Sequence, residues 1–304
     1  MYSPLKELGK KLYQPVKNFL VGNNEKQLLA LGTLLCNQQK TMTTTCLTDY
    51  EFKIFSQRGE DGIIQHLIRH VPIKNKTFVE FGAETYVESN TRFLMMNNNW
   101  NGLIMDGSEE NMQSVRQASW FWMYDLVAKS AFIDAENING LIAEHGLTDI
   151  GLLSIDIDGN DYWVLQALDL SKLNPSILVL EYNALFGMDR TISIPYEKDF
   201  HRTTAHYSNL YFGASLRALT DLAAEKGYAF VGCNLGGSNA FYVKKKFVTD
   251  KLPSVSITAG FRPDKCRQSR NPDYTLSYLR GEDRLAAIRG LKVINVNTGK
   301  EEVL

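Results

Sequence analysis

Five short apolar runs, separated by helical stretches, dominate the middle of the sequence. They lie at residues 77–81, 102–105, 131–133, 151–155 and 177–180, and each is followed by a polar loop and a mostly helical pattern. Short, nearly continuous apolar strands that alternate with helices are typical of a parallel sheet covered on both faces. The sequence therefore predicts an α/β fold built around such a sheet.

The pattern changes after the fifth run. A predicted helix over residues 214–226 leads into apolar runs at 228–233 and 240–244, which are separated by the glycine-containing turn 234–238. Two strands joined by so short a turn must be antiparallel. We therefore expect a mostly parallel sheet that ends in an antiparallel strand.

The two ends of the chain differ from this central pattern. From Leu5 to Phe19, apolar residues recur every three or four positions beside lysines, which predicts a basic amphipathic helix. Residues 26–36 form a second helical run, and residues 292–304 indicate a hairpin. The basic helix packs on its own domain or a second subunit, or it lies on a membrane surface, and we favour packing. The predicted organisation is a helical N-terminal extension, a central α/β domain and a C-terminal appendage, at residues 1–50, 51–250 and 251–304.

Composition and charge exclude several classes of function. Thirty-three basic against 34 acidic residues give a formal charge of -1, so no global field attracts nucleic acid. Four scattered cysteines without a C-x-x-C pair argue against a disulfide framework or a zinc site. The apolar stretch at residues 19–21 is too short for a signal peptide or a membrane span. We expect a cytoplasmic protein, with peripheral membrane contact and a homo-oligomer left open.

Acidic residues follow the ends of the predicted strands. In an open parallel sheet, ligands bind outside the carboxyl ends of the strands, so these positions are the most informative about function. They are Glu80, Glu84, Asp106, Asp156, Asp158, Asp161 and Glu181. A phosphate-rich ligand is disfavoured, because phosphate sites need basic side chains and a glycine-rich loop.

Two residues at these strand ends have alternative explanations. Asp106 suits a ribose diol, since a carboxylate accepts two hydroxyl hydrogen bonds, but it is also placed to cap a helix that begins near Glu109. We favour the ligand-binding role for Asp106. Gly82 fits a close ligand approach, a tight turn, or both.

Eight segments combine in a specific order and spacing. They are residues 55–62, 78–82, 88–91, 100–107, 154–161, 213–216, 232–234 and 239–241. Together they resemble the FkbM-like branch of class I S-adenosylmethionine-dependent methyltransferases over residues 50–250. The resemblance implies a Rossmann-like sandwich whose seven-stranded sheet has an antiparallel last strand, and S-adenosylmethionine as the methyl donor. The residues predicted to contact this donor are Glu80, Gly82, Glu84, Asn90, Asp106, Gly107 and Asp156.

The loop after the first strand departs from that family pattern. Class I methyltransferases usually carry two or three glycines there, whereas Gly82 is followed here by Ala83, Glu84 and the residues up to Val87. A side chain in this loop would narrow the methionine end of the pocket or make way for a different ligand. The departure supports an alternative function, a methyltransferase-like subunit that binds or scaffolds without catalysing transfer.

An all-oxygen set of side chains follows the fourth and fifth strands. Asp156, Asp158, Glu181 and Asn183 suit Mg²⁺, and no Lys or Arg in either motif neutralises the acids. The arrangement resembles that of metal-dependent sugar methyltransferases of the macrocin O-methyltransferase type. The alternative is an ordinary turn and helix cap at residues 158–161, with Asp156 accepting backbone hydrogen bonds.

Two histidines lie in a long insertion after the fifth strand, among polar and aromatic residues. His201 or His206 is a candidate general base, and Asp156 and Asp158 complete the predicted catalytic set. Solvated loop residues would form a similar pattern. The predicted reaction is O-methylation of a sugar or glycan precursor, assisted by a divalent metal ion.

Overall fold

The computed structural model describes residues 24–304, and the basic helix predicted over residues 5–19 lies outside this range. The helices are residues 24–39 (α1), Glu60–His70 (α2), Arg92–Asn98 (α3), Glu109–Arg116 (α4), Ile138–Ala143 (α5), Asp161–Ala167 (α6), Leu170–Leu173 (α7), Arg202–Ala205 (α8), Leu216–Glu225 (α9), Ile257–Gly260 (α10) and Glu282–Ala286 (α11). The strands are Thr77–Phe81 (β1), Asn101–Asp106 (β2), Leu126–Ser130 (β3), Leu152–Ile155 (β4), Ile177–Glu181 (β5), Ile192–Ser193 (β6), Tyr228–Cys233 (β7), Asn239–Lys244 (β8), Lys292–Asn295 (β9) and Lys300–Val303 (β10). None of the helices in the described range is long and apolar enough to cross a membrane.

Seven strands form one sheet in the order β3-β2-β1-β4-β5-β8-β7. Neighbouring strands from β3 to β5 are parallel, whereas β8 runs antiparallel to both β5 and β7. The predicted Rossmann-like sheet, mostly parallel with an antiparallel last strand, is confirmed. The chain order reverses between β1 and β4, and open α/β sheets bind ligands at such a switch point.

The register of the parallel strands brings their carboxyl ends to one edge. Phe81 at the end of β1 pairs with Met105 of β2 and with Ile155 of β4. Ile155 pairs in turn with Leu180 of β5. The residues that follow these positions therefore lie at neighbouring points of the same edge. They are Gly82, Asp106, Asp156 and Glu181.

The sheet is buried on both faces, as its continuous apolar strands predict. All five residues of β1 are buried. Because successive strand residues face opposite sides, Val79 and Phe81 join a core that includes residues of α6 and α9, while Phe78 joins a second core that includes residues of α2 and α4. Helices therefore cover both faces and fix the strand ends that form the site.

The prediction for the third strand is wrong. The apolar run at residues 131–133 is a loop, and β3 occupies the five residues before it. Because β3 is the edge strand, it is not enclosed like β1: Leu126 is buried, whereas Val127 is 43% exposed. A half-exposed edge strand alternates in polarity instead of forming a continuous apolar run.

A second sheet, of three strands, joins the insertion after β5 to the C-terminal segment. Its order is β10-β9-β6, and β9 and β10 form the predicted C-terminal hairpin. Ile192 of β6 pairs with Asn295 of β9. Buried apolar residues from both segments form its core: Phe186, Ile192, Ile194, Phe200, Leu210, Tyr211, Phe212, Ile288 and Val293. We call the two segments, residues 184–212 and 282–304, the cap.

Candidate active site

A cavity of about 720 Å³ lies at the carboxyl edge of the parallel strands, between the sheet and the cap. Small-molecule sites have volumes of about 300 to 1,000 Å³, so the cavity accommodates a cofactor-sized ligand. All but two of the predicted site residues line it: Glu80, Gly82, Glu84, Asn90, Asp106, Gly107, Asp156, Asp158, Glu181 and His201. The two outside the lining are Asn183 and His206.

The loop after β1 is shaped by contact with β4. Gly82 has a φ of +74°, and a Cβ atom there would overlap the backbone carbonyl oxygen of Asp156. Glycine is therefore required by the turn and by the neighbouring strand. A close ligand approach at Gly82 is compatible with this and stays a prediction. Ala83 and Tyr86 are fully buried in the core, and Glu84 is exposed toward the cavity. Of the residues that follow Gly82 in this loop, Glu84 is therefore the side chain that reaches the cavity.

Glu80 at the end of β1 organises the next segment of the cavity wall. Its buried carboxylate accepts hydrogen bonds from Ser89 Oγ at 2.6 Å, the Asn90 backbone N–H at 2.9 Å and the Thr91 backbone N–H at 3.2 Å. Burial raises the pKa of Glu80, and these donors oppose the rise by stabilising the charged form. Asn90 also donates from Nδ2 to Ser154 Oγ at 3.1 Å, which ties this segment to β4.

Asp106 at the end of β2 holds two loops and still faces the cavity. Its Oδ2 accepts from the Glu84 backbone N–H at 3.0 Å, and its Oδ1 accepts from the Ser108 backbone N–H at 2.8 Å and from Asn111 Nδ2 at 3.1 Å. The N-cap of α4 is Ser108, so the helix-cap alternative for Asp106 is wrong. A carboxylate has about four acceptor positions, which leaves Oδ2 with capacity for a ligand hydroxyl.

Phe132 is a cavity residue that the sequence reasoning missed. It follows β3, is 39% exposed and lies 3.2 Å from the Cβ position of Gly107. Its ring centroid is 5.1 Å from that of His201 on the cap. An exposed aromatic ring in a cavity can stack on a flat ligand group. The signal was an aromatic residue inside the run at 131–133, which was assigned to a strand.

Three acids form a cluster at the ends of β4 and β5. Asp156, Asp158 and Glu181 each place an oxygen within 4.8 Å of the others. Burial and the neighbouring carboxylates raise the pKa values of Asp156 and Glu181 well above their usual range. The Glu181 Oε2 atom is buried and has no hydrogen-bond partner among residues 24–304. The cluster thus offers a concentrated set of oxygen ligands.

The cap supplies a cation to this cluster, which corrects the expectation that the acids have none. Arg202 forms an ion pair with Asp158. Its Nε donates to the backbone carbonyl of Asn209 at 2.8 Å, and its guanidinium lies 3.7 Å from the Phe212 ring centroid. Motifs in the strand ends could not reveal this pair, because Arg202 is 44 residues away from Asp158 along the chain.

The turn after β4 contains both a structural acid and acids that line the cavity. Asp161 accepts hydrogen bonds from the backbone N–H groups of Ile157 and Gly159, both at 2.9 Å. Asp161 therefore holds the predicted turn, and burial raises its pKa to about 6. The N-cap of α6 is Asn160, whose side chain makes no cap hydrogen bond. Asp158, with a φ of +54°, lies in the same turn, but it and Asp156 line the cavity.

The structure does not bring Asn183 into the acidic cluster. Its Nδ2 donates to the backbone carbonyls of Leu210 and Phe212, both at 3.0 Å. Its Oδ1 accepts from the Leu185 backbone N–H at 3.0 Å. The amide thus fastens two parts of the insertion to each other, and its oxygen is engaged in a turn.

The two candidate histidines have different positions. His201, the N-cap residue of α8, lines the cavity beside Phe132. His206 lies outside the lining, where its Nδ1 is 2.8 Å from Ser208 Oγ and burial lowers its pKa. Only His201 is placed to meet a ligand in this cavity.

Comparison with known proteins identifies the family. The family model of the methyltransferase FkbM domain matches residues 5–205. The chain belongs to this family. The resemblance inferred from the sequence segments is thereby confirmed. No curated protein sequence matches the chain.

Several solved methyltransferase structures are similar to the chain at low sequence identity. The O-methyltransferase from Bacillus cereus in complex with SAH is 11% identical, with a TM-score of 0.39, over 73% of this chain and 91% of that one. The N-terminal domain of EvdMO1, in the presence of SAH and D-fucose, is 13% identical, with a TM-score of 0.37, over 55% and 75%. The CurJ carbon methyltransferase is 12% identical, with a TM-score of 0.38, over 61% and 52%. The chain spans about half the length of CurJ and of the DszA carbon methyltransferase, at 52% and 53%.

Proposed function

We propose that this protein transfers a methyl group from S-adenosylmethionine to a hydroxyl group of a sugar or glycan precursor, with the help of a divalent metal ion. The observation that carries the proposal is the cluster of Asp156, Asp158 and Glu181 inside the cavity of a methyltransferase-family chain. Its oxygens are close enough to share one cation.

The cavity walls fit the charge of the donor. S-adenosylmethionine supplies the electrophilic methyl group and carries a sulfonium and an ammonium, so acidic walls reduce the cost of burying it. Asp106 retains acceptor capacity for a ribose hydroxyl, and Phe132 offers a ring face for the adenine. The glycine-poor loop gives little support to the alternative of an inactive scaffold, since Ala83 and Tyr86 point into the core.

The acid cluster fits a hard divalent cation such as Mg²⁺. Asp156, Asp158 and Glu181 would hold it, and the orphan Oε2 of Glu181 would gain a partner. A metal ion held there would supply Lewis-acid chemistry and would lower the pKa of an acceptor hydroxyl. Arg202 holds Asp158 in place and offsets part of the cluster's negative charge.

Two residues of the cavity lining carry buried, unpaired acceptor atoms, which favours a hydroxyl-rich acceptor. The Oδ1 atoms of Asn160 and Asn209 are buried without a hydrogen-bond partner in the described part of the chain, and both residues line the cavity. Buried acceptors without partners are costly, and sugar hydroxyls donate hydrogen bonds to such atoms. His201, a cap residue of the same lining, is our candidate to accept the proton that the acceptor hydroxyl loses.

The test is a transfer assay with methyl-labelled S-adenosylmethionine and a panel of nucleotide sugars and oligosaccharides. We expect label in a sugar product, loss of transfer in EDTA, and recovery when Mg²⁺ is added. Full transfer by protein that elemental analysis finds free of metal would refute metal assistance and leave His201 as the base. A protein that neither binds the donor nor transfers methyl to any acceptor would support the scaffold alternative.

A further inference from the structure

One arginine in the cavity lining has no anionic partner. Arg58 precedes α2, and its guanidinium makes no hydrogen bond or ion pair with any residue between 24 and 304; its Nε is buried. Arg202, the other arginine of the lining, is paired with Asp158. A guanidinium is always charged, and Arg58 is half-buried with its Nε enclosed, so leaving it without an anion carries a free-energy cost. Within residues 24–304, the site therefore lacks one anion.

The fold holds Arg58 in this position. A Cβ atom on Gly236 would lie 2.7 Å from Arg58 Cγ, so the absence of a side chain there makes room for the arginine stem. The backbone N–H groups of Arg58 and Gly59 donate to Glu60 Oε2, at 2.8 and 2.9 Å. Glu60 Oε1 accepts from Asn239 Nδ2 at 3.1 Å. The carboxylate nearest along the chain is thus engaged by the backbone and an amide, and it does not pair with the guanidinium.

Two further acids of the lining have cationic partners of their own. Asp264 forms an ion pair with Arg284 at 2.7 Å, and Glu88 forms one with Lys53 at 2.8 Å. Neither acid is therefore left to neutralise Arg58. No ion pair joins Arg58 to any acid of the described lining, so a ligand anion is the partner that this position favours.

We infer that Arg58 binds the α-carboxylate of the methionine portion of S-adenosylmethionine, an inference that rests on the proposed function. The donor carries two cationic groups and a single anionic group, its carboxylate. The acidic lining suits the two cations, and Arg58 is the one arginine of the described lining that is left for the anion. A neutral sugar acceptor has no anionic group to offer, and the acidic lining disfavours the diphosphate of a nucleotide sugar. A guanidinium binds a carboxylate through two parallel hydrogen bonds, which also fixes the orientation of the donor.

The test compares donor binding with and without the carboxylate. Calorimetric titration would measure the affinity of S-adenosylmethionine and of decarboxylated S-adenosylmethionine, which keeps the ammonium, for the wild type and for Arg58→Gln. A charge-assisted pair predicts that the variant binds S-adenosylmethionine about 10- to 100-fold more weakly. Both proteins should bind the decarboxylated ligand equally. Arg217→Gln on α9, outside the cavity, is the matched control and should bind like the wild type.

The wild type gives a test that does not depend on how a variant folds. It should bind the decarboxylated ligand about 10- to 100-fold more weakly than S-adenosylmethionine, and Arg58→Lys should keep part of that preference. Equal affinity of the wild type for both ligands, or an undiminished preference in Arg58→Gln, would overturn the inference alone. A wild type that binds neither ligand would overturn the proposed function together with it.

Discussion

The sheet and the cap contribute different groups to the same cavity. The sheet provides carboxylates at the ends of fully buried strands, such as Glu80 on β1 and Glu181 on β5. The cap provides His201 and Arg202 from a short helix, held by its own small core and by the two-residue strand β6. Small, separate cores open locally more readily than a continuous one. The difference suggests a division of labour, with donor and metal on the rigid side and the acceptor on the side that can open.

The largest expected effect is a loss of turnover when an acid at the sheet edge, Asp156, is replaced. Asp156→Asn keeps the shape of the side chain but removes its charge, so turnover should fall about 10²- to 10⁴-fold, as when a group that assists proton removal is lost. Affinity for S-adenosylmethionine should stay near the wild-type value. Steady-state kinetics and calorimetry would check both results, with Asp221→Asn on α9 as the control. Comparable losses in turnover and donor affinity would show that Asp156 acts mainly on the donor.

The close approach of β1 and β4 predicts the second-largest effect, a loss of stability in Gly82→Ala. Gly82→Ala would place a methyl group against the Asp156 carbonyl and impose a side chain at a φ of +74°, so the free energy of unfolding should fall by at least about 3 kcal/mol. Gly140→Ala in α5 meets nothing within 4 Å and should stabilise the protein by about 0.5 kcal/mol. Urea denaturation would compare the two. Equal effects would contradict the tight junction between these strands.

The acidic cluster at the strand ends and the helix α2 predict opposite dependences of stability on pH. The raised pKa values of Asp156 and Glu181 mean that the metal-free folded protein keeps protons that the unfolded chain releases above about pH 4, so their contribution to stability falls as the pH rises. His66 in α2 behaves in the opposite way. Burial lowers its pKa to about 3, so its contribution is complete above the unfolded pKa of 6.5 and is lost as the pH falls.

Urea denaturation of the metal-free wild type and of Asp156→Asn, from about pH 5 to about pH 8, isolates the acid contribution. The stability of the wild type relative to the variant should decrease across that interval. A relative stability that increases with pH would mean that these carboxylates are stabilised in their charged form.

The smallest effect on global stability is expected in the cap. Val79 in the sheet and Val293 in the cap are both fully buried. Val79→Ala should lower the free energy of global unfolding by about 2 kcal/mol, because it leaves a cavity in the continuous core. Val293→Ala should instead accelerate amide exchange in β9 and raise the KM for the acceptor, with little change in the unfolding midpoint. Identical shifts of that midpoint would indicate that sheet and cap unfold as one unit.

Local sequence patterns were sufficient for the sheet because its central strands are enclosed on both faces. The runs that became β1, β4 and β5 are continuous and apolar, and the acids that follow them lie where parallel pairing places them. The edge strand β3 lacks that enclosure, so the apolar pattern predicts a strand in the run after it and does not mark Phe132 as a cavity residue. Periodicity thus reports burial, and it fails where a strand is half exposed.

The cap depends on contacts between residues far apart in the chain. Ile192 pairs with Asn295, and Arg202 pairs with Asp158. A strand of two residues has no period to detect, and neither an ion pair nor the amide contacts of Asn183 can be inferred from a single sequence. The sequence therefore does not reveal that Arg202 of the insertion offsets the negative charge of the acidic cluster.

We propose that the donor lies over the ends of β1, β2 and β4, with its ribose against Asp106. The most direct measurement is calorimetric titration of S-adenosylmethionine into the wild type, Asp106→Ala and Asp106→Asn. We predict that the wild type binds and that Asp106→Ala loses about 2 kcal/mol of binding free energy, since charge-assisted hydrogen bonds to the ribose disappear. Asp106→Asn, which preserves more of the contacts to the two loops, should show a smaller loss. Unchanged dissociation constants in both variants would contradict the account and remove Asp106 from the donor site.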